Sequence, residues 1–540
     1  MIRALISSAP QLCKLQRCSA IFVFLTFAGY LQLVSANPSE GELAQAESKK
    51  DQSEVRRANE SKSTDVSSFV IRGDLSEVDW QKHVGKQVVI EGDLVIVDTY
   101  DLARRGQITV SRNRLFVPTS QIDPNDQDAD GTTSVGGSNS AAVVEAQSRN
   151  RRSSIMIDDA VTDQNVFPPP LFPTLGKIHP TVRLGSVVHE VSGLVVKQGN
   201  RIFLQVGQPL RWSPAPRPQR PDLGDAEITI ASFNVLNYFT TIDDGRNKAR
   251  GADSDSELVR QQAKIEAAIS GLDADVIGLM ELENNLDAES RLIAALNKSV
   301  GRDVYKGCGV PALFSDSPGG DDAIRVGIIY RSDRVEATER VTMIDSAEFS
   351  LARTPLVQTF RPADGGATFT VIVNHFKSKG GGGSAGAENK DRGDGQAAYN
   401  AARRSQSLAI CRYIDSEHQG VKASRVIVLG DLNAYQQEDP IDALRAKGLV
   451  DLTEHVKRKV STEFVDTDYS YVYFGQCGSL DHAFATPPLV KDVTGVSIWH
   501  INADEPRWLD YNQEYNPRSI YKADAFRSSD HDPVLIGIRK

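Results

Sequence analysis

The sequence predicts an α/β layered domain over residues 226–540, preceded by a small all-β barrel over about 66–212. Three observations lead there. Beyond residue 226, apolar runs such as Ile228-Thr229-Ile230-Ala231-Ser232-Phe233, Val276-Ile277-Gly278-Leu279-Met280 and Val426-Ile427-Val428-Leu429-Gly430 read as buried strands. Between them, Glu257 to Ile269 and Leu286 to Leu296 place apolar groups at helical spacing, and 396–418 is the longest helical candidate. Such alternation argues packed layers. Before residue 212 the runs are short and alternating, as in 87–97, 108–110 and 187–196, and they break at Gly and Pro turns.

Taken in order, the chain opens with Arg3, Lys14 and Arg17 ahead of an apolar run from Ala20 to Val34, then the small residues Val34-Ser35-Ala36. That pattern is a secretory signal cleaved after Ala36, with an uncleaved anchor as the alternative. Cleavage leaves 58 basic and 71 acidic residues, a net charge of −13, and no further segment fit to anchor the protein in a membrane. The expected location is secreted or periplasmic. Residues 37–65 are polar and charged and read as a disordered linker. A flexible acidic, then Gly/Ser-rich insertion is expected at 121–155. Within it Asp126, Asp128, Asp130 and Gly131 start like a calcium loop, but position twelve is Gly137 instead of a bidentate Glu. The Pro-rich stretch 213–225 marks the boundary between the β and α/β domains.

Cys13 and Cys18 leave with the signal, so Cys308, Cys411 and Cys477 remain. Export makes one disulfide plausible, with three possible pairings and one thiol left over. The spacing suits no cysteine-based metal site.

Six strand ends then carry polar clusters. Asn234 follows Ile228–Phe233, Glu281 follows Val276–Met280, and His375 follows Thr370-Val371-Ile372-Val373-Asn374. Asp431 and Asn433 follow Val426–Gly430, Asp481 lies in Ser479-Leu480-Asp481-His482, and Asp530-His531-Asp532-Pro533 precedes the last apolar run. Strands that end in carboxylates, imidazoles and amides hold chemistry on rigid supports.

These residues, in this order, resemble the endonuclease/exonuclease/phosphatase superfamily, which includes pancreatic-type DNases and abasic-site endonucleases. Longer stretches are similar to its secreted bacterial nuclease branch: Phe233-Asn234-Val235-Leu236-Asn237-Tyr238-Phe239, Met280-Glu281-Leu282-Glu283-Asn284-Asn285, Gly393-Asp394-Gly395-Gln396 and Trp499-His500-Ile501-Asn502-Ala503-Asp504-Glu505-Pro506. The resemblance implies a DNase I-like four-layer sandwich, two packed mixed sheets flanked by helices, and an OB-like barrel ahead of it.

It also implies roles. Glu281, then Asp530 and Asn234, are the expected metal ligands, and their hard oxygens suit Mg²⁺, with Mn²⁺ an alternative. Ca²⁺ is a further candidate as a structural or activating ion. His531 is the expected general base, oriented by Asp481. His375 would protonate the leaving oxygen or bind phosphate. Asn433 would steady the phosphate or the metal, beside Asp431 in the family's turn; the division of these roles stays open. Lys377 and Lys379, adjacent to His375, are candidates for phosphate contact, and Asn400, Arg403, Arg331 and Tyr238 are weaker substrate candidates. The expected substrate is DNA, with RNA a second possibility. Competing readings are a phosphodiesterase or phosphatase acting on lipids or small phosphates, and a catalytically inactive DNA-binding protein. The last would show a lost site residue, and none is lost.

Overall fold

Closure is what stabilises the N-terminal β region. A computed structural model describes residues 68–125, 138–382, 386–416, 425–455 and 469–540. The expected signal sequence and linker, and residues 126–137, lie outside the described residues. Strands β1 (Gln87–Asp98), β2 (Ile108–Ser111), β3 (Ser154–Asp158), β4 (Val187–Gln198) and β5 (Arg201–Gln205) follow one another along the chain. Around the barrel the order is β1-β2-β3-β5-β4, and β4 returns to pair with β1. Among these five strands β3 and β5 pair in parallel, and the short strand Phe69–Ile71 adds a second parallel pairing onto β1. Closing the sheet pairs the edges that would otherwise invite association. Val88, Ile90, Leu94, Ile96, Val110, Ile157, Val188 and Leu204 fill the interior of this OB-like barrel.

The insertion departs from expectation. Residues Ser140–Arg152 form a helix, α1, and Ser154 already belongs to β3. Arg149, Arg151 and Arg152 in its last turn suit the negative end of the helix dipole. Its Val143 sits on Gly395, where a Cβ would meet Val143 Cγ1 at 2.5 Å, so the helix is held by tertiary packing.

Beyond the boundary come strands β6 (Ile228–Tyr238), β7 (Val276–Glu283), β8 (Ile324–Arg331), β9 (Leu356–Pro362), β10 (Phe369–His375), β11 (Val426–Asp431), β12 (Asp481–Ala485), β13 (Val493–Ile498) and β14 (Val534–Ile538). The first sheet runs β8-β7-β6-β14-β13, extended at the β8 edge by Tyr305–Gly307. The second runs β9-β10-β11-β12, edged by Val335–Ala337 and Val450–Asp451. Both are mixed: β6–β7 and β10–β11 are parallel, their other neighbours antiparallel. Ile230, Val276, Val326, Phe360, Val371, Leu429, Ala483 and Ile536 meet between the sheets in a buried core.

Helices α2 (Asp255–Leu272) and α3 (Leu286–Val300) cover the first sheet, with Leu258, Ile265, Ile269, Leu292 and Leu296 turned inward. Ser254 and Asn285 cap their N-termini by accepting from Glu257 N and Ala288 N. Helices α4 (Asn400–Asp415) and α5 (Asp439–Ala446) cover the second sheet through Ile410, Ile414, Ile441 and Leu444. The result is the four-layer sandwich. α4 starts four residues later than expected because Ala397 and Tyr399 take left-handed backbone, and the 18-residue α2 is longer than the 16-residue α4. The expected disulfide is absent among the described residues. Cys308, Cys411 and Cys477 are free and pack in three different apolar clusters.

Barrel and sandwich are joined by a buried ionic clamp built on the 499–506 motif. Arg183 donates to Glu505 Oε1 at 2.5 Å, Asp504 Oδ2 at 3.2 Å and the His500 carbonyl at 3.0 Å. Arg114 forks onto Asp504 at 2.9 and 3.0 Å, and Arg217 onto Glu505 at 2.9 and 3.1 Å. Trp508 and Leu509 then insert into the barrel core. Burial favours protonated Asp504, but Arg114 and Arg183 outweigh it and hold the carboxyl below its ordinary range. Its contribution to stability is therefore complete above the unfolded carboxylate's pKa. It is lost as pH falls through the lower native value. Arg183→Met, which strands buried carboxylate charge, is expected to cost about 3 kcal/mol in urea unfolding at neutral pH, and this deficit should shrink toward pH 3.

Candidate active site

Side chains alternate along a strand, so residues two apart share a face. On β6, Ile228 and Ile230 face the inter-sheet core; Ser232 and Asn234 continue that face beyond it. On β10, Phe369, Val371 and Val373 lead to His375. On β11, Ile427 and Leu429 lead to Asp431, and on β12 Ala485 and Ala483 lead back to Asp481. Register completes the placement: His375 pairs with Asp431, and Asp431 with Asp481. His482, one residue on, turns to the other face and reaches the Ala434 carbonyl at 2.8 Å. Gly430 permits this packing, since a Cβ there would lie 2.0 Å from the Asn374 carbonyl oxygen.

Glu281 breaks the alternation. Simple period two would send residue 281 to the helix side with Ile277 and Leu279. A bulge between Met280 and Leu282 intervenes, with Glu281 in left-handed backbone at φ 66°. Bulges re-aim side chains in this way. Glu281 instead accepts from Asn234 Nδ2 at 3.2 Å and Asn237 N at 2.8 Å. Leu236, Asn237 and Asn433, beside Glu281, also have positive φ.

His531 closes the site from the turn before β14. Its Nδ1 lies 2.7 Å from Asp481 Oδ2, which also accepts from Ser470 Oγ at 2.6 Å. The turn is held from behind by buried Asn502, which donates to the His531 carbonyl at 2.7 Å and accepts from Ser528 N and Ser529 N. Asp532 accepts from Asn502 N and Ala503 N. Asp431 Oδ2 stands 3.5 Å from His375 Nε2 and 4.0 Å from His531 Nε2. Asn433 N donates to Asp431 Oδ1 at 2.9 Å, and its Nδ2 to the Phe376 carbonyl at 3.3 Å.

Burial and charge set these groups apart. Burial lowers the pKa of the His531 imidazole, yet Asp481 and Asp431 outweigh it and hold it well above its ordinary value. Burial, with the cationic Arg353 and His531 nearby, pushes His375 well below, so it is neutral. Burial raises Asp431 to about 7, against the pull of His531. Burial and the charge of Asp530 also raise Glu281.

A family model described as the endonuclease/exonuclease/phosphatase family matches residues 231–531, from the first sheet strand to the imidazole of the dyad. The chain belongs to that family. Among solved structures, a mannosyl-6-phosphatase from Bacteroides thetaiotaomicron VPI-5482 is similar at 17% identity and TM-score 0.38, covering 58% of this chain and 100% of that one. The human Nocturnin catalytic domain with bound sulfate is similar at 14% and 0.35, covering 58% and 96%. D. rerio TDP2 complexed with a single-strand DNA product is similar at 15% and 0.35, covering 58% and 99%. Comparison with curated protein sequences returned no match.

Of the residues expected in the family's site, the structure brings together Asn234, Glu281, His375, Asp431, Asn433, Asp481, Asp530 and His531 at one end of the sandwich. Among the described residues no three His, Cys, Asp or Glu side chains form a ready-made ion site. Glu281 and Asp530 are nevertheless hard oxygen donors, and the repulsion between the two acids is what a divalent cation relieves; beside them Asn234 turns its Nδ2 to Glu281 and its oxygen accepts from Leu236 N. That set fits an ion bound through one or two carboxylates and otherwise by water. Bound there, it would supply charge neutralisation at a phosphate.

The expected substrate contacts fare less evenly. Lys377 lies beside His375, its Nζ 4.6 Å from the centre of the Tyr399 ring. Lys379 is engaged by buried Glu438 and lies over Tyr435, and burial lowers it to about 8. Three expectations, for Arg331, Arg403 and Tyr238, are corrected. Arg331 sits at the opposite end of β8, roughly 20 Å of strand from Glu281, and pairs with Asp333 at 2.9 Å. Arg403 is fully buried and donates to the Gln396, Ala398 and Lys377 carbonyls, so it braces backbone. Tyr238 is buried against the helix layer with its hydroxyl on Gln262. Asn400 Nδ2 is committed to Asp439 at 2.7 Å.

Sequence reading missed Arg353, Arg250 and Ser470. Arg353 reaches the Phe376 carbonyl at 3.4 Å, and both arginines pair with Asp322, at 3.4 and 3.2 Å. They lie in loops with no strand-end signal. Asp481→Asn removes the charge that raises His531; the imidazole's NMR titration should move down by about 1–3 pH units. Stability held by the charged pair is present below the unfolded histidine pKa and lost as pH rises through the native one. An unmoved titration would show that Asp481 does not set the proton affinity.

Proposed function

We propose that this protein is a secreted, Mg²⁺-dependent nuclease that hydrolyses phosphodiester bonds of extracellular DNA with little sequence choice, RNA being the second candidate substrate. The observation that carries this reading is the pairing of two differently tuned imidazoles with a cationic wall. His531, paired with Asp481, and neutral His375 stand on either side of Asp431, and Arg353, Arg250 and Lys377 add positive charge next to His375. In a chain of net charge −10, local cations are what draws a polyanion to the site.

In this reading the unprotonated form of His531 takes a proton from the attacking water at Nε2, while Asp481 stabilises the imidazolium through Nδ1. His375, neutral, donates a hydrogen bond to a phosphoryl oxygen or to the leaving oxygen. Lys377 and Arg353 offset charge growing on the phosphate. Glu281, Asp530 and Asn234 would hold the Mg²⁺. Secretion follows from the basic residues and apolar run ahead of Ala36.

The test is supercoiled plasmid incubated with the mature chain from Asn37, with and without Mg²⁺, beside His531→Ala. Magnesium-dependent nicking should fall about 10²- to 10⁴-fold in the variant. Intact plasmid, together with hydrolysis of a sugar phosphate or a lipid phosphodiester, would assign the site to a small-substrate phosphatase or phosphodiesterase instead.

A further inference from the structure

Beside the site, the hairpin Tyr471–Tyr473 and Gln476–Gly478 turns through two residues, Phe474-Gly475. Both take positive φ, 47° and 72°. Such a turn favours Asn-Gly, because a bulky L-residue is strained in left-handed backbone. Here the position holds a phenylalanine that is 71% exposed, next to a tyrosine that is 55% exposed. The two rings meet edge to face with centroids 4.5 Å apart. Strain and exposed apolar surface both oppose stability, and the fold gains no burial from this side chain in return.

The hairpin is nonetheless rigidly mounted. Gly475 lies against barrel strand β1, where a Cβ would meet Asp98 Cβ at 3.3 Å. Gln476 and Cys477 pair with Leu115 and Phe116, two residues of the barrel region. At the other end of the same strand, the Tyr471 ring packs on the His531 ring with centroids 4.6 Å apart. Tyr471 and Tyr473 share a strand face, so an aromatic row leads from the catalytic imidazole outward, about 7 Å per step.

We propose that the Tyr473–Phe474 tip is a base-stacking subsite, taking the face of an unpaired nucleobase in a strand whose phosphate lies at His531. This rests on the nuclease reading, and it adds a preference for single-stranded or frayed substrate. Aromatic platforms bind bases with little sequence choice because every base has a π face. A row that begins on the catalytic imidazole favours the substrate over a bilayer as its occupant.

The full mature chain, Phe474→Asn and Phe474→Trp would be compared on a single-stranded oligonucleotide and on the same strand with tetrahydrofuran spacers replacing the bases around the cut. Asn tolerates left-handed backbone, so a thermal melt should show Phe474→Asn no less stable than wild type. The preference in kcat/KM for bases over spacers should fall roughly 5- to 150-fold in Phe474→Asn and survive in Phe474→Trp. An unchanged preference would overturn the subsite. So would wild-type binding to phosphatidylserine vesicles that Phe474→Asn abolishes, which would make the tip a membrane anchor. Wild type that leaves both oligonucleotides intact while cleaving a small phosphodiester would instead remove the nuclease reading itself.

Discussion

The candidate active site is the polar continuation of an apolar face, and strand register is the constraint on which it depends. Ile427-Leu429-Asp431 and Val371-Val373-His375 are each one line of side chains, greasy where the sheets meet and polar where they part. A slip of one residue would turn Asp431 and His375 into the helix layers and expose their apolar partners to the wrong side. The hydrophobic core therefore positions the chemistry. Glu281 is the exception, and it needs a bulge and a left-handed φ of 66° to join the others.

That placement forces ionisable groups into a poorly solvated end of the sandwich, and the arrangement of charges decides what each becomes. Asp481 sits within hydrogen-bond distance of one imidazole and not the other. Arg353 has the opposite effect, adding to the burial that keeps His375 neutral. Two histidines with the same intrinsic chemistry are driven apart in proton affinity, one held cationic and the other neutral. Asp431 stands 3.5 and 4.0 Å from the two rings, and its charge adds to the rise at His531.

The parts legible in the sequence are those governed by local pattern. Apolar runs marked the strands, and the polar residues at either end of a run marked Asn234, His375, Asp431, Asp481 and His531. Glu281 was legible as a residue but not as a bulge, since a bulge is a property of two strands paired. Arg331 misled because a basic residue at a strand end looks alike at either end of a sheet, and topology alone says which end holds the site. Arg403 misled because helical spacing does not show that Gln396, Ala398 and Lys377 turn three carbonyls toward it. Gly and Ser around 131–140 hid α1, which depends on Val143 packing against a glycine far along the chain. Arg353 and Arg250 lie in loops, where no periodicity exists to read.

The barrel acquires a role through the same contacts. Arg114 and Arg183 hold Asp504, and Arg183 and Arg217 hold Glu505. Those acids end the loop whose Asn502 donates to the His531 carbonyl and accepts from the turn before it. On the other side the barrel region pairs with the hairpin whose Tyr471 packs on the same imidazole. His531 is thus fixed by Asp481 within the sandwich and, through two separate routes, by residues whose supports lie in the barrel. The N-terminal region thereby supports that turn, with Arg114 and Arg183 engaged by Asp504 and Glu505.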